Sequence, residues 1–140
     1  MKKKPKKQKT VAHLKNKVLW PLFSKYIRLK YAKDGMCQCV TCKKWLPAFG
    51  KGCVQAGHFI PGRHNSVLYD ERQVYPQCYH CNVHLKGNTV EYYTFMLNVH
   101  GKEVIDELRD LDKQTKQYKR YEIEEMIDWY RMRVDALETK

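Results

Sequence analysis

Two dicysteine pairs, Cys39-x2-Cys42 and Cys78-x2-Cys81, constrain this chain more than anything else in its sequence. A C-x2-C turn lets two sulfurs reach one ion while backbone amides point at them, and two such turns close a tetrahedral site. The spacing therefore predicts one structural Zn2+ held by Cys39, Cys42, Cys78 and Cys81, with no open position for chemistry. His80 and His84 have the H-x3-H spacing of a zinc finger and offer a rival pairing with Cys39 and Cys42. That rival ranks lower, because 37 residues separate Cys42 from His80, against the ~12 to 15 of a finger. It would also leave Cys78 and Cys81 idle. Cys37 and Cys53 remain as spare thiols, Cys37 lying close enough to the first pair to compete for the ion.

A metal cross-link matters because 140 residues with 43% hydrophobic content can build only a modest core. The net charge of +12 is unevenly placed. Residues 1–101 hold 18 Lys/Arg against 4 Asp/Glu, a balance of +14, whereas residues 102–140 hold 9 against 11, a balance of −2. The basic part is the part with the cysteines. A strongly cationic domain attracts polyanions, so DNA or RNA is the first expected partner and an anionic membrane surface the weaker one. The Lys-rich start is followed by a segment broken by Lys15 and Lys17, too charged for a signal-peptide core. With no apolar run near the ~20 residues a bilayer requires, the expectation is a soluble cytoplasmic protein whose cysteines hold zinc rather than form disulfides.

Along the chain, residues 1–10 read as a flexible basic arm, either a solvated tail or a phosphate-binding tether. Residues 11–36 read as a helical segment: Leu14, Val18, Leu22, Tyr26 and Leu29 recur at helical spacing, interrupted by Pro21 as a kink or a fresh start. Residues 37–101 read as the core. A short zinc ribbon with Trp45, Leu46 and Phe49 packed beneath it is followed by a strand over 54–60, a loop over 61–66 and a strand over 73–75. A helix is expected from Cys81 to Gly87, and another from Asn88 as N-cap to Val99. Residues 102–140 read as a C-terminal helical extension over 102–111 and 120–137. Its stripe of Ile123, Met126, Ile127, Tyr130 and Val134 is a packing face, with a dimer interface as second reading. Strand, loop, strand and helix in that order make a ββα unit, so the expected class is α+β, a small zinc-stapled core flanked by helices.

Hydrolysing a phosphodiester needs a base to activate water, a cation to neutralise developing charge, and groups that hold the backbone. His58, at the end of the first strand, suits the base, since histidine titrates near neutrality. Asn82, directly after the last cysteine, can offer a hard carbonyl oxygen to Mg2+ or Mn2+. Lys86, Arg63 and Arg72 can meet phosphates.

This arrangement resembles the HNH-type, ββα-metal nucleases. Within them, residues 39–111 are most similar to the phage NinG (Rap) recombination endonucleases. The matching stretches are Cys39-Val-Thr-Cys42, Ala56-Gly-His58, Asp70-Glu-Arg72, Pro76-Gln-Cys78-Tyr-His-Cys81-Asn82, Gly87-Asn88 and Gly101-Lys-Glu-Val-Ile-Asp106. The resemblance implies a metal-dependent endonuclease acting on branched recombination intermediates such as Holliday junctions and D-loops, working as a homodimer in the cytoplasm of a phage-infected or lysogenic bacterium. The chain departs from the wider pattern at three places. Gly57 stands where many HNH enzymes carry a metal-binding carboxylate, Gln55 where related phage proteins carry an acid, and Gln73 near the middle Asn. His64 and His84 are then candidates to complete the catalytic-metal ligands, and Asp70 or Glu71 to approach through water. Two competitors stay open: a non-catalytic zinc-ribbon DNA/RNA adaptor, and a sequence-specific HNH endonuclease.

Overall fold

Pro21 does not break the N-terminal helix. In a computed structural model that describes residues 3–5 and 7–139, α1 (Val11–His13), a π-wound stretch (Leu14–Leu19) and α2 (Trp20–Tyr31) follow one another. The Trp20 amide donates to the carbonyl of Lys15, five residues back. A proline inside an α-helix would clash with the carbonyl four residues before it and leave that carbonyl unbonded. Widening the preceding turn is one way a helix accommodates it. Part of the expected arm over 1–10 lies outside the described residues. Within the described part, Lys9 offers its carbonyl to Arg120 and Thr10 caps α1 through its hydroxyl.

Two small antiparallel hairpins follow. β1 (Met36–Gln38) pairs with β2 (Trp45–Pro47), and β3 (Gln55–His58) pairs with β4 (Val74–Gln77) in the register Gln55↔Gln77 to His58↔Val74. Between β3 and β4 the chain makes the short helix α3 (Asn65–Leu68) and a 3-10 turn (Glu71–Gln73). Trp45 and Phe49, expected beneath the ribbon, are instead exposed. Leu46 alone of the three packs against the cysteines, while Phe49 lies under the Arg28 guanidinium.

The helix expected from Cys81 to Gly87 is only one π turn, His80–His84. It stops because Lys86, Gly87 and Asn88 all take positive φ, at 51°, 96° and 47°. Asn88 precedes α4 (Thr89–Val99) without capping it by its side chain, which turns back to Cys81. α5 (Lys102–Asp112) and α6 (Arg120–Glu138) complete the chain. The mixed α+β architecture is thus two two-stranded sheets among helices.

Alternation along the β3/β4 hairpin separates two apolar clusters. Ala56 and Val74 join Leu19, Phe23, Tyr26 and Ile27 of the N-terminal helix and Ile123, Ile127, Tyr130 and Val134 of α6. Tyr75 joins Tyr92, Met96, Ile105 and Leu108 of α4 and α5. The stripe on α6 therefore packs against the N-terminal helix inside the chain. No helix among the described residues is long and apolar enough to cross a membrane.

Candidate metal centre and cleft

The four sulfurs of Cys39, Cys42, Cys78 and Cys81 lie within 4.8 Å of one another, forming a set that can hold one metal ion such as zinc. His80 and His84 are outside it. The first pair sits on a tight turn in which the Lys43 amide donates to the Cys39 carbonyl and Lys43 takes φ 68°. The second pair is closed by the Cys81 amide donating to Cys78 Sγ at 3.3 Å. Asn88 Nδ2 donates to Cys81 Sγ, a contact that suits a thiolate. Burial opposes ionisation of Cys39, but hydrogen bonds from the Thr41 hydroxyl and from the backbone of Cys42, Cys78 and Thr41 outweigh it and bring the thiol down to about 6. Burial, with the neighbouring Cys39 charge added, pushes Cys78 up to about 12. Four thiolates so close need a cation between them, and the donor set fits zinc. Cys37 stays apart, its thiol pointing at the Arg28 carbonyl.

Beside this cluster the fold opens a cleft of ≈ 660 Å³. His58 and Asn82 both line it, together with Gln55, Arg63, Lys86 and, from α2, Trp20, Ser24 and Arg28. Among the described residues no carboxylate lines it, so its charge is set by two arginines and a lysine. His58 Nε2 is 2.9 Å from the Leu68 carbonyl. A carbonyl only accepts, so Nε2 carries the proton and Nδ1 keeps its lone pair. Burial holds the imidazole below its ordinary titration range, and the Arg63 charge acts in the same direction against the pull of the Leu68 carbonyl. Asn82 Nδ2 donates to Gln55 Oε1 at 2.7 Å, and Asn82 Oδ1 accepts no hydrogen bond among the described residues.

The loop that brings the Leu68 carbonyl to His58 is pinned by Gln73, which is fully buried. Its Oε1 accepts from the Ile60 amide and its Nε2 donates to the Val67 carbonyl, both at 2.7 Å. Gly57 has no room for a carboxylate, since a Cβ there would lie 2.0 Å from Gln77 Oε1.

Other residues singled out by sequence are placed away from the cleft. His64 faces Asp112 at 2.7 Å, and His84 packs edge-on against Tyr79. Arg72 is held by both oxygens of Asp70 and by Glu107, outside the lining of the cleft. Asp70 is spent on that pair and Glu71 on Lys30 and Tyr130. Sequence reasoning missed Trp20 and Arg28. Their i, i+8 spacing puts them on one face of the helix, but nothing in the local pattern says what that face meets.

Comparisons with known proteins carry the same direction. "Protein ninG" of Enterobacteria phage H19B is 30% identical over 69 residues, covering 45% of this chain and 34% of that protein. The proteins of the same name from Escherichia phage 933W and Enterobacteria phage VT2-Sa match to the same extent. The match thus spans about a third of the length of these relatives. No solved structure matches the chain. The family described as Bacteriophage Lambda NinG protein matches over residues 1–140, and the chain belongs to that family.

Proposed function

We propose that this protein is an HNH-type, metal-dependent DNA endonuclease that acts on branched recombination intermediates. The observation that carries the reading is the convergence of a proton-accepting His58 and an oxygen-bearing Asn82 on one cationic cleft beside a four-cysteine cluster. Nδ1 of His58 takes a proton from the attacking water while the Leu68 carbonyl holds the ring through Nε2. Arg28, Arg63 and Lys86 hold phosphate oxygens on either side of the scissile bond. Asn82, with Gln55 behind it, would hold Mg2+ or Mn2+, which supplies neutralisation of charge on the scissile phosphate and leaving oxygen. These amide oxygens are hard donors of the right kind, but they are neutral, so the DNA phosphate must contribute the negative charge of the site. The junction preference rests on the resemblance of residues 39–111 to the phage NinG recombination endonucleases, and the phage setting on kinship to phage proteins named ninG.

The deciding experiment is cleavage of an end-labelled four-way junction beside its matched linear duplex, with Mg2+, Mn2+ or chelator, by wild type and His58→Ala. Junction-selective, metal-dependent cutting lost in the variant is expected. Binding of both DNAs without cutting under any metal would make this a nucleic-acid adaptor instead. Cutting of linear duplexes at one shared sequence would make it a sequence-specific enzyme.

A further inference from the structure

We infer that Trp20 is a positioning residue for His58, a platform supplied by the N-terminal helix that fixes the imidazole with its Nδ1 available to the cleft. The inference rests on His58 being the base. Its ground is geometric. The indole stacks on the imidazole with centroids 5.1 Å apart and planes 22° from parallel. The same indole lies under the Arg63 guanidinium at 4.4 Å. Its own position is set by Phe23 at 5.8 Å and Tyr69 at 6.2 Å, two rings that meet edge-on in the core.

Two contacts then fix the imidazole in different ways. The Leu68 carbonyl selects the Nε2-protonated tautomer only while the ring is held where Nε2 reaches it, and a single hydrogen bond does not by itself hold the ring there. A flat surface against the ring face removes the remaining freedom. Trp20 is only half-buried and lines the cleft, so its indole is not simply filling the core. Its place in the chain also has a structural signature. It is the first residue after the π-wound stretch, and a π turn shifts the facing of everything beyond it relative to everything before it. The same turn that accommodates Pro21 therefore sets the direction in which Trp20 points.

The charged groups that share the cleft with His58 are Arg63 from the loop after β3, Arg28 from α2 and Lys86 beyond the π turn, while the Leu68 carbonyl meets its ring. All three side chains are cations, so none of them orients the ring by an ion pair. Orientation falls to the indole and the carbonyl. By burying one face of the ring, the indole also adds to the desolvation that keeps His58 neutral.

The test compares Trp20→Leu and Trp20→Met with Trp20→Phe, each checked for folding by its melting transition. Imidazole nitrogen chemical shifts of His58 should report one tautomer, protonated on Nε2, in wild type and Trp20→Phe. A mixture of tautomers is expected in whichever aliphatic variant folds. Turnover on cut DNA should fall about tenfold in that variant, with KM unchanged and recovery in Trp20→Phe. A single unchanged tautomer in a folded aliphatic variant would overturn the inference, whatever the cleavage rate. Absence of cleavage by wild type would instead strike the nuclease reading and leave the tautomer measurement to decide the role of Trp20.

Discussion

Gly57 shows how one residue can carry both a packing constraint and a chemical one. Gln77 is fully buried and its Nε2 donates to the Thr41 hydroxyl at 3.1 Å and the Gly87 carbonyl at 2.9 Å. The side chain thereby ties β4 to the first cysteine turn and to the loop after the π turn. It leaves Oε1 against the Cα of Gly57, and among the described residues that oxygen accepts no hydrogen bond. Gly57→Ala is expected to cost about 3 kcal/mol through overpacking, read as a lower urea midpoint. Pairing it with Gln77→Ala should cost less than the sum of the two single changes, because the clash then has no partner. Additive costs would show that the contact is not the constraint. His58 gives a second residue-scale expectation. A base works only when unprotonated, and burial lowers the pKa of this imidazole from its ordinary 6.5. The rate should therefore rise with pH along an acid limb centred below 6.5 and be level above it as far as His58 is concerned. A limb at or above 6.5 would contradict the buried geometry.

At the scale of elements, what could be read from sequence depended on whether the information was local. Cys39, Cys42, Cys78 and Cys81 were legible because C-x2-C spacing itself encodes a turn that points two sulfurs at one place. The helix α4 was legible from Asn88 before it and Gly101 after it, and α6 from its apolar stripe. The π turn over His80–His84 was not, because its length is set by the positive-φ run at Lys86, Gly87 and Asn88, whose conformations serve the Gln77 and Cys81 contacts. Nor were the exposed Trp45 and Phe49, since a three-residue strand does not declare which face will be covered. The cysteine centre also cross-links the first turn and the segment after β4. The Val40 amide donates to the Pro76 carbonyl, linking the first turn to β4, while Cys81 lies in the π turn that also carries Asn82. Cys81→Ser is expected to lower stability by at least ~3 kcal/mol, because metal binding free energy is folding free energy at such a site. Strong chelator should produce a comparable loss in wild type and little further loss in the variant. Unchanged melting and zinc stoichiometry in the variant would remove the cysteine set from the folding argument.

For the whole molecule, the uneven charge decides where a polyanion can sit. Carboxylates of the C-terminal segment neutralise particular cations elsewhere: Glu107 meets Arg72 and Glu138 meets Lys25. Such exposed pairs add little to stability, but they subtract those cations from the surface available to phosphate. Arg28 and Arg63 are instead held over the rings of Phe49 and Trp20, with their charges left at the cleft. The pairing of Arg72 was not legible in sequence: a cation's surroundings depend on which carboxylates the fold brings to it, and Glu107 is brought by a helix 35 residues on. The distinction is measurable in the salt dependence of DNA binding. If Arg28, Arg63 and Lys86 each neutralise one phosphate, together they contribute roughly −2.7 to the slope of log affinity against log salt. Replacing any one of them by Gln should flatten the slope by about 0.9. Arg72→Gln should leave the slope where it was, because its charge is already matched within the chain. Equal flattening by all four substitutions would extend the DNA path from the cleft onto the face that carries Asp70 and Glu107, and show that the ion pairs do not withdraw Arg72 from phosphate.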